Sequence, residues 1–368
     1  MKLSGLIARP DGSLLRGHLT FADRITTLEP SSDVGDDYVL PGFVDLQVNG
    51  SHGIDVMNAS PDALETLSRH LAHEGTTSWM PTAVTAPIEK IAQVHESIAA
   101  AFENSRRDDS AAAAILGMHL EGPFISPLRL GAHPTLNLDP RGDAFDQVLA
   151  MRALRLITLA PELVGALDAI RRLTARGVVV SIGHTNATLE EANAGIDAGA
   201  RMFTHLFNAM RPLNHRDPGV IAAALAPCAA IPAIIPDAVH LHPAILRLIF
   251  EARGRGLILV TDKVALAQTT GAEKNVGRSR ATIRDGAARL DDGTLAGSII
   301  SMLDGVRVMV EQADIRIGDA AVMAATNPAR LINANDRGRL EPNKRADLIL
   351  LTRSLKLKSV WITGRELT

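Results

Sequence analysis

Short apolar runs alternate regularly with amphipathic stretches through the middle of the chain. FVDLQVNG (43–50), TTSWMPT (76–82), AILGMHLEG (114–122), LRLITLAPE (154–162), GVVVSIGHT (177–185), RMFTHLFN (201–208), AAIPAIIPD (229–237) and GLILVTD (256–262) read as strands. Between them, segments such as PDALETLSRHLAHEG and TLEEANAGIDAGA carry apolar residues at helical spacing and end on a glycine that stops the helix. Eight strand–helix units over about 270 residues match the size of a (β/α)8 TIM barrel, so an α/β barrel is the expected fold. A doubly wound open sheet is the alternative. It is weakened because no G-x-G-x-x-G follows the first strand.

The flanks follow a different pattern. Residues 1–40 and 335–368 read as short strands and turns, which divides the chain into 1–40, a central 41–334 and 335–368. Two β-rich ends can pair into one small β domain, since chain termini often lie close together. The run DDSAAAA (108–114) is the one low-complexity tract and reads as a solvated loop or helix start.

Polar residues gather where the predicted strands end. Glu121, His184, His205 and Asp262 each close a different run, and barrel enzymes draw their catalytic groups from the C-terminal ends of several strands. Two imidazoles and a carboxylate suit a divalent metal with one position left open, zinc above all. Asp262 then reads as the group that takes and returns a proton, with a helix N-cap as the plainer alternative. His119, two residues before Glu121, either orients that ligand or is a packed core histidine. His133 lies in a loop able to reach over the site, although a lone loop histidine is more often a surface residue. Arg216 and His240 follow later strands and could meet an anion such as phosphate; a solvated arginine and a capped histidine are the bland reading.

Composition narrows the partners. Lys and Arg number 38 against 41 Asp and Glu, a formal net charge of −3, with no basic stripe for nucleic acid. The expected partner is a small molecule, with neither nucleic acid nor membrane involved. Nothing approaches the ~18 uninterrupted apolar residues of a membrane span. The apolar part of MKLSGLIARPDG is too short for a signal peptide. With one cysteine, Cys228, no intrachain disulfide forms, which fits a cytoplasmic location.

The motifs PGFVDLQVNG, HLEGPF with GAH, SIGHTNATLEEA, THLFNAM, LVTD, NPARLI and GRLEPNKRADLILL, in that order, resemble the amidohydrolase superfamily. Within it they closely resemble the N-acetylglucosamine-6-phosphate deacetylase family, from about residue 41 to the tail. The resemblance implies a metal-dependent barrel with a small β-sandwich made from both chain ends. It also implies metal ligation by Glu121, His184 and His205, acid/base work by Asp262 and carbonyl polarisation by His133. Asn208, Ala209, Arg216 and His240 would meet the sugar phosphate, which reverses the bland reading of the last two.

Where many amidohydrolases have His-x-His and two metals, this chain has Gln47 and Asn49, weak zinc ligands, so one metal is expected, with zinc first and iron or another divalent ion as alternatives. The two amides would serve packing or support. The implied reaction is hydrolysis of N-acetylglucosamine 6-phosphate to glucosamine 6-phosphate and acetate, in a homodimer. Alternatives are a deacetylase of N-acetylgalactosamine 6-phosphate, a cyclic-amide hydrolase, or a catalytically impaired sugar-phosphate-binding protein. Two departures from the family pattern bear on activity. Ala238 stands where the family often has glycine, and Lys263 follows Asp262. By strand alternation Lys263 should face solvent or a neighbour rather than the carboxylate.

Overall fold

The computed structural model describes residues 1–107, 112–136, 138–269, 273–276 and 279–367. The beginning of the DDSAAAA tract, 108–111, lies outside them.

The N-terminal segment forms β1 (Lys2–Ala8), β2 (Leu14–Phe21), β3 (Ile25–Pro30) and β4 (Tyr38–Pro41). The barrel strands follow as β5 (Phe43–Val48), β6 (Thr76–Val84), β7 (Met118–Glu121), β8 (Leu154–Leu159), β9 (Val179–Ile182), β10 (Met202–Phe203), β11 (Ile231–Ile234) and β12 (Ile258–Leu259). All eight pair in parallel, in chain order. Beyond β12, Asp262 N–H donates to Gln47 O (2.9 Å) and Val48 bridges Lys263, bringing the last strand's extension back onto the first. The open-sheet alternative is thereby excluded.

Helices cover the barrel, among them α1 (Pro61–His73) and α2 (Ile88–Arg107), then α3 (Asp143–Leu149), α4 (Ala166–Ala175) and α5 (Leu189–Ala198). α1 starts on the Ser60 N-cap and buries Leu64, Leu67 and Leu71. α5 opens with a reciprocal capping box between Thr188 and Glu191 and stops at Gly199, as the TLEEANAGIDAGA pattern predicts.

Alternation along the strands divides the apolar residues into two layers. Val44, Leu46, Met80, Leu156, Met202 and Ile258 belong to a cluster inside the barrel. Trp79, Leu120, Ile157, Val180, Phe203 and Leu259 face the helices. With few aromatics available, Ala, Leu, Ile and Val carry both layers.

After β12 comes an antiparallel insertion absent from the sequence reading: β13 (Glu273–Val276), β14 (Ser279–Arg284) and β15 (Ala287–Leu290). The tail contributes β16 (Leu348–Leu351), β17 (Leu357–Ile362) and β18 (Arg365–Glu366). Both chain ends share one sheet, ordered β18-β17-β16-β4-β1-β2-β3. Phe21 on β2 and Trp361 on β17 are not on adjacent strands, yet their rings meet edge to face at 6.2 Å. The two wings of the sheet therefore face each other around Ile7, Leu19, Val39 and Leu348.

Candidate active site

Glu121 is the last residue of β7, and His184 and His205 each lie two residues past β9 and β10. The strands are shorter than the apolar runs suggest because the backbone turns left-handed at their ends. φ is +47° at His184, +25° at His205 and +51° at Asp262. Such conformations cost non-glycine residues free energy and persist where the surroundings enforce them, commonly at functional sites. Here they turn side chains inward at the barrel mouth.

One ligand atom from each of Glu121, His184 and His205 lies within 4.8 Å of the others. His205 Nε2 is 2.9 Å and His184 Nε2 3.2 Å from Glu121 Oε1. His184 Nδ1 donates to the carbonyl of Arg129 (3.0 Å), so the neutral ring presents a lone pair at Nε2. Burial, followed by the nearby His133, pulls the His184 pKa down to about 4, which keeps the ring neutral near pH 7. A lone pair thus faces a carboxylate oxygen, an arrangement a cation resolves. Burial would raise the Glu121 pKa, but the surrounding imidazoles of His133, His184 and His205 outweigh it and hold the carboxyl well below its usual range. Two imidazoles and one ionised carboxylate fit a divalent metal such as zinc.

Asp262 lies beside this group. Gln47 Nε2 donates to both Glu121 Oε1 (3.0 Å) and Asp262 Oδ1 (2.9 Å), and Asn49 Nδ2 donates to Asp262 Oδ1 (2.7 Å). Gln47 and Asn49 are therefore the donors that hold the two carboxylates. Pairing between β5 and β6 slips between Asp45 and Val48, and such irregularities re-aim side chains near active sites. Burial and then the Glu121 charge push the Asp262 pKa up to about 6. Beside a Glu121 held ionised, a carboxyl whose pKa is raised toward neutral is suited to taking up and returning a proton. Turns rather than a helix follow Asp262, so the N-cap alternative has nothing to cap.

Asp262, Glu121, His184, His205 and His133 share a cavity of about 230 Å³. His133 reaches in from the loop after β7, with Nε2 3.6 Å from Glu121 Oε2 and Nδ1 2.8 Å from Thr85 Oγ1. Asn208, Ala209 and His240 line the cavity as well. Asp237 Oδ2 holds His240 Nδ1 at 2.6 Å, while its other oxygen accepts the amides of Val239 and His240.

Arg216 is not brought in. It sits exposed on the loop before α6 (Gly219–Leu225) and does not line the cavity. His119 is fully buried between Thr82 and Thr158, the core-histidine alternative. The wall from Thr294 to Gly297, just after β15, escaped the sequence reading; the turn-rich DDGTLAG was its only signal. Thr85 and Asp237 were also missed, because what they do depends on contacts rather than on a motif.

A family model described as the amidohydrolase family matches residues 38–367. The chain belongs to the amidohydrolase family. It is 37% identical over 328 residues, 86% of this chain and 81% of the relative, to an N-acetylglucosamine-6-phosphate deacetylase of Bacillus subtilis (strain 168). It is 36% identical over 333 residues, covering 89% and 87%, to an N-acetylgalactosamine-6-phosphate deacetylase of Escherichia coli O157:H7. Among solved structures it superposes on a mutant N-acetyl-D-glucosamine-6-phosphate deacetylase from Mycobacterium smegmatis in complex with N-acetyl-D-glucosamine-6-phosphate. That match has a TM-score of 0.90 at 31% identity, covering 100% of this chain and 98% of that one. No helix among the described residues is long and apolar enough to cross a membrane.

Proposed function

We propose that this chain hydrolyses the N-acetyl amide of N-acetylglucosamine 6-phosphate, releasing glucosamine 6-phosphate and acetate. The observation that carries the reading is the convergence of Glu121, His184, His205 and Asp262 in one cavity, with His133 over it. The similarity to amino-sugar-phosphate deacetylases supplies the substrate class.

Glu121, His184 and His205 would hold one divalent ion, zinc first. Such an ion, when bound, supplies positive charge that acidifies water and polarises a carbonyl. Asp262 accepts the proton of the attacking water and later passes it to the departing amine. Gln47 and Asn49 keep its carboxylate aimed by donating to one oxygen, Oδ1, which leaves the other to take the proton. His133, held by Thr85, donates toward the oxygen on which negative charge develops. Asn208, Ala209 and His240 orient the sugar; Arg216, exposed outside the cavity lining, would meet the phosphate only where that group projects beyond the cavity. Contacts with that remote group help place the amide for attack.

N-acetylgalactosamine 6-phosphate is the second candidate, favoured by the 36% identity to a deacetylase of that epimer. Amine release with the two epimers in parallel, zinc supplied, tests the reading. Turnover of either supports it, with the higher kcat/KM naming the substrate. Turnover of neither, by protein that has bound zinc, contradicts it.

A further inference from the structure

Lys263 follows Asp262 directly, yet its ammonium turns away from the acid–base carboxylate. The side chain is 1% exposed, with Nζ 2.5 Å from Glu74 Oε2. Of the two outcomes expected for it, the neighbour is met and solvent is not. Glu74 caps the C-terminus of α1, and its second oxygen is buried without a hydrogen bond among the described residues, 3.8 Å from His52 Nε2. A buried ion pair rarely adds net stability over an apolar pair of the same volume. Stability alone therefore does not explain this one.

The backbone it anchors is the one that carries Asp262. Lys263 O accepts from the amides of Asn49 (2.9 Å) and Gly50 (3.1 Å), and Ser298 N–H donates to Asp262 O (2.9 Å). Thr261 Oγ1 accepts from Lys263 N–H (3.3 Å) and donates to the buried Asp45 (2.6 Å). Asp262 itself is left-handed, a state that persists only when its neighbours over-determine it. Lys263 supplies the side-chain anchor on the C-terminal side of that turn, and neither it nor Glu74 lines the cavity.

We propose that the buried Lys263–Glu74 pair is a positioning device for Asp262. It clamps the left-handed turn so that the carboxylate stays on the Gln47 and Asn49 amides. The kinetic consequence rests on the deacetylase reading, while the structural one does not.

The test is the double variant Lys263→Met/Glu74→Met, which removes both charges at nearly constant volume. Three properties are compared with the wild type: thermal midpoint, hydrogen exchange at the Asn49, Gly50 and Ser298 amides, and kcat and KM with zinc supplied. The expected result is a folded protein whose three amides exchange at least about tenfold faster than the wild type's, with kcat about 10- to 100-fold lower and KM within about twofold. Faster exchange without a fall in kcat, or a fall in kcat without faster exchange, overturns the proposal, as does no change in either. If the wild type releases no amine, the function fails separately and exchange alone decides the clamp. If the double variant does not fold, Glu74→Gln is read at the same amides: faster exchange supports the clamp, unchanged exchange overturns it.

Discussion

Asp262 combines three features at one position: burial, a left-handed backbone and two amide donors on one carboxylate oxygen. Asp262→Asn keeps the shape but removes the basic oxygen. Turnover should fall by about 10²- to 10⁴-fold while zinc content, read by elemental analysis, stays at the wild-type level. A variant that retains turnover would remove Asp262 from the mechanism. Acting as a base, Asp262 would work only when ionised, so activity would be lost as pH falls through its pKa. Burial and Glu121 set that pKa at about 6, and a bound cation nearby lowers it. The acid limb of kcat/KM should therefore fall at or below about pH 6; a limb above pH 7 would contradict the assignment.

Ala238 is another left-handed residue, with φ +60°. Ala238→Gly relieves a left-handed penalty of about 1 kcal/mol, partly offset by the added freedom of the unfolded chain. Denaturant unfolding should show a net gain of about 0.5 kcal/mol. A loss would mean that the methyl group packs usefully.

Among the elements, β5 shows most plainly what could be read from sequence. Its apolar run and the eight-fold alternation were legible, because burial on both faces leaves a continuous apolar signature, and so were the polar residues that end four of the runs. That Glu121, His184, His205 and Asp262 converge was legible because each follows such a run. Strand ends were not: β10 stops at Phe203 although the run continues to 208, because left-handed turns at His205, Phe207 and Ala209 break the ladder. The support of Asp262 by Gln47 was open only as a general second role, since it depends on a pairing slip that no periodicity records. Lys263 was the harder case, because alternation gives its side but not the Glu74 waiting there. Gln47→Leu tests the strand's contribution. Removing the shared donor leaves two carboxylates facing each other, which raises the Asp262 pKa. The acid limb should move to higher pH, and kcat/KM should fall about 10- to 100-fold. An unmoved limb would show that Gln47 only packs.

At the scale of the whole molecule, the barrel closes where its chemistry sits. The hydrogen bond from Asp262 to Gln47 O joins the last strand's extension to the first, so catalytic geometry and barrel closure share one seam. A metal held by Glu121, His184 and His205 would cross-link β7, β9 and β10, and an ion that binds only the folded state stabilises it by mass action. Chelation should lower the thermal midpoint, and added zinc should restore it; a midpoint indifferent to both would argue against the site.

The most direct measurement is amine release from N-acetylglucosamine 6-phosphate by the zinc-supplied protein, with unphosphorylated N-acetylglucosamine run alongside. Efficient release from the phosphorylated sugar, with kcat/KM at least about 100-fold below it for the unphosphorylated one, is the predicted result. No release from either sugar by zinc-bound protein, or equal release from both, would contradict it.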